Sequence, residues 1–252
     1  MAPALASVKA EADLLLLAGD LTRVGDPAEA AVLAGEVADV GVPIVAVLGN
    51  HEYQGNQAPA VAAILREAGV HLLDRSSTVL DIAGQRVAIA GTKGFGGGFG
   101  AALSDNFGEP EHKAWIGHAE TEAEALADVL ASLVGDVRIV LLHYAPTPET
   151  LSGERLELYP FLGNSLLGEA IDRAGADLVL HGHAHRGSLA GATPGGVPVR
   201  NVAQQVIRRP YAVFTIERGD ELARRQRRIR PRWLRRAARR EDAVAGDPGG
   251  DQ

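Results

Sequence analysis

Hydrophobic positions along this chain fall into short, near-continuous runs separated by stretches of helical spacing. The apolar runs Leu14–Ala18, Ile44–Leu48, Val87–Ala90, Val137–Leu142 and Leu178–Leu180 read as strands buried on both faces. Between them, Pro27–Val40, Ala58–Ala68, Glu120–Leu133 and Leu166–Ala174 repeat Ala, Leu and Glu with helical spacing, and Pro3–Ala12 reads as a helix leading into the first run. Pro27 suits a first helical position, and Gly41, Gly69 and Gly175 stand where helices stop. Strands alternating with helices imply a helix-covered sheet. A second signal is strand-only. TVLDIAGQRVAIAG reads as a hairpin turning at Ala83–Gln85, and VPVRNV followed by YAVFTIE reads as two more strands. Together these predict a mixed α/β (α+β) fold with two packed sheets.

The chemistry lies where the strands end. LLLLAGD finishes on Asp20, IVAVLGNHE on Asn50 and His51, RIVLLHYAP on His143, and LVLHGHAH on His183 and His185, with His181 just before them. Four apolar strands thus present Asp, Asn or His at their carboxyl ends, the edge where α/β sheets bind ligands. Gly19 and Gly49 let the backbone turn there, where a side chain would obstruct the site. Taken singly, each motif has a plain structural explanation: a turn, a helix cap, a satisfied histidine. Three alternating histidines on a buried strand do not, since each unpaired ring would cost about 1–3 kcal/mol. Oxygen and imidazole donors suit Mn, Fe, Zn or Co, and two such ions about 3.5–4 Å apart are the usual apparatus for displacement at phosphorus.

GD (Gly19–Asp20), GNHE (Gly49–Glu52), His143 and GHAH (Gly182–His185) together resemble the calcineurin-like metallophosphoesterase family, over roughly Asp13 to Glu217. The resemblance implies a four-layer αββα double β-sandwich flanked by helices. It also implies hydrolysis of a phosphate mono- or diester by metal-activated hydroxide at a dinuclear centre. Asp20 would bridge the two ions, Asn50, His143 and His183 would complete one ion's ligands, and His185 would serve the other. His51 would be the catalytic histidine that is not a ligand. Members of the family open with a strand ending in Asp-x-His some tens of residues before the GD, and no such motif precedes Asp20 here. One ion then has four protein ligands and its neighbour two. The expectation is a start codon assigned too far downstream, so that residues 1–218 are an N-terminally truncated domain. The alternative is a degenerate, non-catalytic binding or scaffold protein with one metal site lost.

Composition narrows the rest. A hydrophobic fraction of 46% supports a sizeable core. The absence of cysteine excludes disulfides and thiolate metal sites, and with no long apolar segment the expected location is cytoplasmic. The net charge of −7 argues against general nucleic-acid affinity. Residues 224–240, RRQRRIRPRWLRRAARR, open a nucleic-acid or anionic-lipid reading, but Pro231 interrupts any single helix and a disordered tail over 219–252 is favoured. GTKGFGGGFG (Gly91–Gly100) is no dinucleotide site, because ALSDNFGEP after it is a poor helix broken by Pro110. It reads as a mobile loop near the metal centre, with Lys93, Phe95 and Phe99 as candidate substrate contacts. His71 is expected to be structural and His112 and His118 solvent-exposed; His181 is not counted as a ligand.

Overall fold

The computed structural model describes residues 2–216. The 219–252 tail and its arginine-rich 224–240 segment lie outside the described residues. The chain begins with two short helical turns, α1 (Ala2–Leu5) and α2 (Val8–Glu11), where one helix is predicted. Strands β1 (Leu15–Ala18), β2 (Ile44–Val47) and β3 (His71–Leu73) then form a parallel three-stranded sheet, connected through α3 (Pro27–Val37), the turn α4 (His51–Gln54) and α5 (Ala58–Glu67). The second sheet has the order β4-β5-β6-β7-β9-β8. It is built from β4 (Ser76–Ile82), β5 (Gln85–Thr92), β6 (Val137–Leu142), β7 (Leu178–His181), β8 (Ala190–Ala192) and β9 (Pro198–Asn201). Helices α6 (Pro110–Ser132), α7 (Tyr159–Leu162), α8 (Ser165–Ala174) and α9 (Gln204–Ile207), with short 3-10 turns at Gly100–Ala102, Pro148–Leu151 and Leu156–Leu158, complete the described elements.

Side-chain alternation explains the layering. In β2, Val45 and Val47 enter the core between the sheets with Ile89, Ile139, Leu141 and Leu180. Ile44 and Ala46 point the other way, onto Leu33 and Val37 of α3 and Val61 and Leu65 of α5. On the far side, Leu126 and Leu130 of α6 and Leu167 and Ile171 of α8 cover Val140, Leu142 and Val179. The result is a helix–sheet–sheet–helix double sandwich. Its central strands β2, β6 and β7 are buried on both faces, hence their unbroken apolar runs.

Three expectations need correction. First, YAVFTIE does not form a strand over 211–216: Phe214 and Ile216 reach the inter-sheet core and Val213 is exposed, so the period-two pattern is real. Among the described residues, however, no strand pairs with this segment, and a pattern without a ladder partner is not a strand. Second, Pro110 starts α6 instead of breaking a helix. It sits at the first turn, where its missing N–H costs nothing, and His112, Trp115 and His118 lie on the helix. Third, Gly91–Gly100 is a packed segment and not a mobile loop; Thr92, Lys93 and Phe99 are buried. The Asn164 amide donates to the carbonyls of Phe95 (2.8 Å) and Gly96 (3.3 Å), while its oxygen caps α8 through Leu167 N–H. A Cβ on Gly96 would run into the Pro160 carbonyl. These glycines allow close approach between backbones.

Candidate metal centre

Four strand ends meet across the two sheets. β1 leads into Gly19–Asp20, β2 into Gly49–Asn50–His51, β6 into His143, and β7 into Gly182–His183. Asp20, His143 and His183 each offer a ligand atom, and these atoms lie within 4.8 Å of one another. Asn50 joins them, its Oδ1 lying 2.9 Å from His143 Nε2, and Asp20 Oδ1 is 3.2 Å from the same nitrogen. A Cβ on Gly19 would meet the His143 ring, and one on Gly49 would collide with Asp20 Oδ1. Both positions therefore need glycine.

His143 decides what this cluster can hold. It is fully buried, and desolvation, aided by the neighbouring His183, holds its pKa well below the ordinary 6.5, which favours the neutral ring. Its Nδ1–H donates to the Ala18 carbonyl at 2.8 Å, which leaves a bare lone pair on Nε2. That lone pair faces Asp20 Oδ1 and Asn50 Oδ1. Three acceptors thus converge with no hydrogen between them, an arrangement a divalent cation resolves. The donor set is two oxygens and two imidazoles, which suits borderline divalent ions. Asp20 (φ 52°) and His183 (φ 65°) also adopt left-handed backbone conformations, which are uncommon away from glycine and concentrate at functional sites.

The flanking groups hold the donors in place. His51 N–H donates to Asp20 Oδ1 (3.2 Å), its Nδ1–H donates to the Arg23 carbonyl (2.7 Å), and its Nε2 lies 3.8 Å from Asp20 Oδ2. His183 Nε2–H donates to the Phe161 carbonyl at 3.2 Å; burial lowers the pKa of this ring too. His185 is exposed and stands outside the cluster. His181 is buried behind it, donating through Nδ1 to the Gly182 carbonyl and meeting Thr150 Oγ1 through Nε2, with its pKa pushed by burial down to about 4. It is a structural residue.

Of the proposed substrate contacts, Lys93 is buried with its ammonium 4.7, 5.1 and 5.5 Å from the rings of Phe95, Tyr144 and Tyr53. Phe95 is half-buried beside it. Phe99 is buried with Leu151 and Ala184 and edges onto Tyr159, beneath the GHAH turn. His118, on α6, packs edge-on against Phe95.

Sequence reasoning missed three residues. Glu52, the last residue of GNHE, is fully buried and accepts from Thr22 N–H (2.7 Å), Thr22 O–H (2.8 Å) and Gly49 N–H (2.6 Å), tying the GD loop to the GNHE loop. Its place inside the motif was the available signal. Tyr144 lies 4.5 Å from the His183 ring, and Phe161 closes over the same histidine through its carbonyl. No pattern in the sequence marks either one.

No curated protein sequence matches this chain. Among solved structures, the phosphopantetheinyl hydrolase (PptH) from Mycobacterium tuberculosis superposes with a TM-score of 0.60 at 15% identity, covering 77% of this chain and 80% of that one. The protein TT1561 of Thermus thermophilus gives a TM-score of 0.49 at 20% identity, over 79% of this chain and 80% of that one. At such identities the likeness concerns the fold. In sequence, the model of the calcineurin-like phosphoesterase family matches residues 4–187, nearly three-quarters of the chain and all four strand-end motifs, and the chain belongs to that family.

Proposed function

We propose that this chain hydrolyses a phosphate mono- or diester with the help of divalent metal ions. One ion would be held by Asp20, Asn50, His143 and His183. A second would share Asp20 and take His185, which lies outside the cluster as it stands, as its candidate further ligand. When bound, such ions supply Lewis acidity at a phosphoryl oxygen and bring the pKa of water close to neutrality. The observation that supports the reading is the convergence of Asp20, His143 and His183, whose ligand atoms lie within 4.8 Å of one another, with Asn50 Oδ1 2.9 Å from His143 Nε2.

The chain's own side chains account for orientation and for the proton. Asp20 is fixed by the His51 N–H, and His143 by the Ala18 carbonyl. The His51 ring is anchored through Nδ1 and keeps Nε2 on the open side of Asp20. Protonated at Nε2, it can hand that proton to the departing ester oxygen. Lys93 and Phe95 are the proposed substrate contacts; Phe99 would act through the packing of the GHAH turn.

The test is Mn-dependent hydrolysis of aryl phosphate mono- and diesters by the full chain. Asp20→Ala and Asn50→Ala should each lower the rate at least about a hundredfold. Rates unchanged by both substitutions would refute the assignment. Tight Mn binding without turnover would favour the non-catalytic alternative.

A further inference from the structure

Aromatic residues are scarce in this chain, two Trp, four Tyr and five Phe, yet five of them gather beside the metal centre. Starting from His183, ring centroids run to Tyr144 at 4.5 Å, from Tyr144 to Phe95 at 5.7 Å, on to Trp115 at 5.9 Å and to Phe161 at 6.0 Å. The Phe161 carbonyl then returns to His183 Nε2. The arc closes on a residue of the centre itself. Tyr53, two residues after His51, flanks it across Lys93.

This arc is not a finished core. Phe161 is 60% exposed, Tyr53 45%, and Leu156 and Leu158, just before α7, are 75% and 42% exposed. Apolar surface left open beside a reactive centre marks a binding surface. It is also rigid. Gly97 N–H donates to the Pro160 carbonyl at 2.6 Å, Asn164 holds the Phe95 and Gly96 carbonyls, and a Cβ on Gly96 would lie 3.1 Å from the Trp115 ring. The backbone that carries Phe95 and Phe161 is therefore tied down before a ligand arrives.

The chemistry of the surface selects among ligands. The Lys93 ammonium already occupies the cation position over Phe95, Tyr144 and Tyr53, so a cationic head group would be repelled there. Rings tilted at 46–62° to one another offer edges and faces that a flat ring meets better than a flexible chain. We infer that the leaving group of the substrate is a neutral or anionic planar aromatic group, aryl or heteroaromatic, seated against Phe161 and Trp115. The inference rests on the phosphoesterase reading only for placing the phosphate at the metal centre.

The test is isothermal titration of the Mn-loaded full chain with methylphosphonate, octylphosphonate and 1-naphthylmethylphosphonate. The naphthyl compound should bind at least about tenfold more tightly than methylphosphonate. Phe161→Ala should remove that advantage. Trp115→Leu, whose ring contacts among the described residues are Phe95, His112 and Phe161, should lower it while leaving methylphosphonate affinity unchanged, a check on fold and metal. The inference is overturned if the naphthyl advantage is missing, if it survives Phe161→Ala, or if octylphosphonate binds as tightly. Should no phosphonate bind at all, the phosphoesterase reading fails first and the subsite with it.

Discussion

Glu52→Gln removes almost no volume, so its cost isolates the hydrogen bonds that join the two ligand-bearing loops. The carboxylate is fully buried and accepts from three donors, Thr22 N–H, Thr22 O–H and Gly49 N–H. An amide keeps one oxygen, which can stay on the Thr22 pair. Its NH2 then faces the Gly49 N–H across a 2.6 Å gap, donor against donor. The change loses a bond to a carboxylate, worth roughly 1.5–3 kcal/mol, and strands a buried donor, for roughly 1–3 kcal/mol more. Flipping the amide moves the clash to Thr22 without removing it. The expected loss is about 3 kcal/mol, a sizeable share of the ~5–15 kcal/mol of a typical domain. Glu52→Ala, which orphans all three donors, should cost more. Urea unfolding at constant slope measures both. A double-mutant cycle with Thr22→Val should show coupling, because the hydroxyl and the carboxylate share one network. Mn affinity should fall tenfold or more alongside, since Asp20 and Asn50 sit on the loops that Glu52 joins. If Glu52→Gln unfolds within about 0.5 kcal/mol of the parent, the loops are held by something else and the argument fails.

Gly49→Ala places a methyl group on Asp20 Oδ1 and 2.9 Å from the His143 ring, so Mn binding measured by calorimetry should be lost while far-ultraviolet circular dichroism is retained. Lys93→Met should be no less stable than the parent at pH 7: desolvation lowers the Lys93 pKa from 10.5, so the folded state disfavours the ammonium even though Glu122 supports it. The sign follows from the direction of the shift. The parent gains stability as pH rises from the lowered folded value towards 10.5, so any advantage of Lys93→Met in urea unfolding should shrink as the pH approaches 10.5. Phe99→Ala should cost about 3–5 kcal/mol in unfolding experiments, as a packing residue does, whereas a KM effect without destabilisation would return Phe99 to the substrate surface. Mn at a hundredfold excess over its Kd should add about 2.7 kcal/mol of stability, seen as a rise in melting temperature that a chelator reverses and His143→Ala abolishes.

What the sequence made legible was whatever repeats locally. β2, buried on both faces, left an unbroken apolar run, and β4 with β5 left alternation around Ala83–Gly84, so both were visible before any coordinates. The same holds for the four donors, because each directly follows the strand that positions it. Longer-range facts were hidden. Whether YAVFTIE pairs as a strand depends on a neighbour that its own alternation cannot report. Pro110 was misread because a helix breaker and a helix starter are the same residue seen from opposite sides. The Gly-rich stretch looked mobile because glycine serves equally for freedom and for close approach, and only Pro160 and Asn164, more than sixty residues away, distinguish the two. The aromatic arc was invisible for the same reason. Its members come from five separate segments.

The centre itself is held from behind. Three of the four donors are anchored by a backbone group: His143 by the Ala18 carbonyl, His183 by the Phe161 carbonyl, Asp20 by the His51 N–H. Asp20 and His183 stay in left-handed conformations that a free chain would leave, each at a cost of about 1–2 kcal/mol. Without a cation, the lone pairs of Asp20, Asn50 and His143 face one another, and nothing inside the cluster rewards that arrangement. The surrounding fold therefore sustains the geometry, through the inter-sheet core and the three buried bonds of Glu52. A site kept in this way would need little rearrangement to take up an ion, whose binding energy would go into relieving repulsion that folding has already set in place.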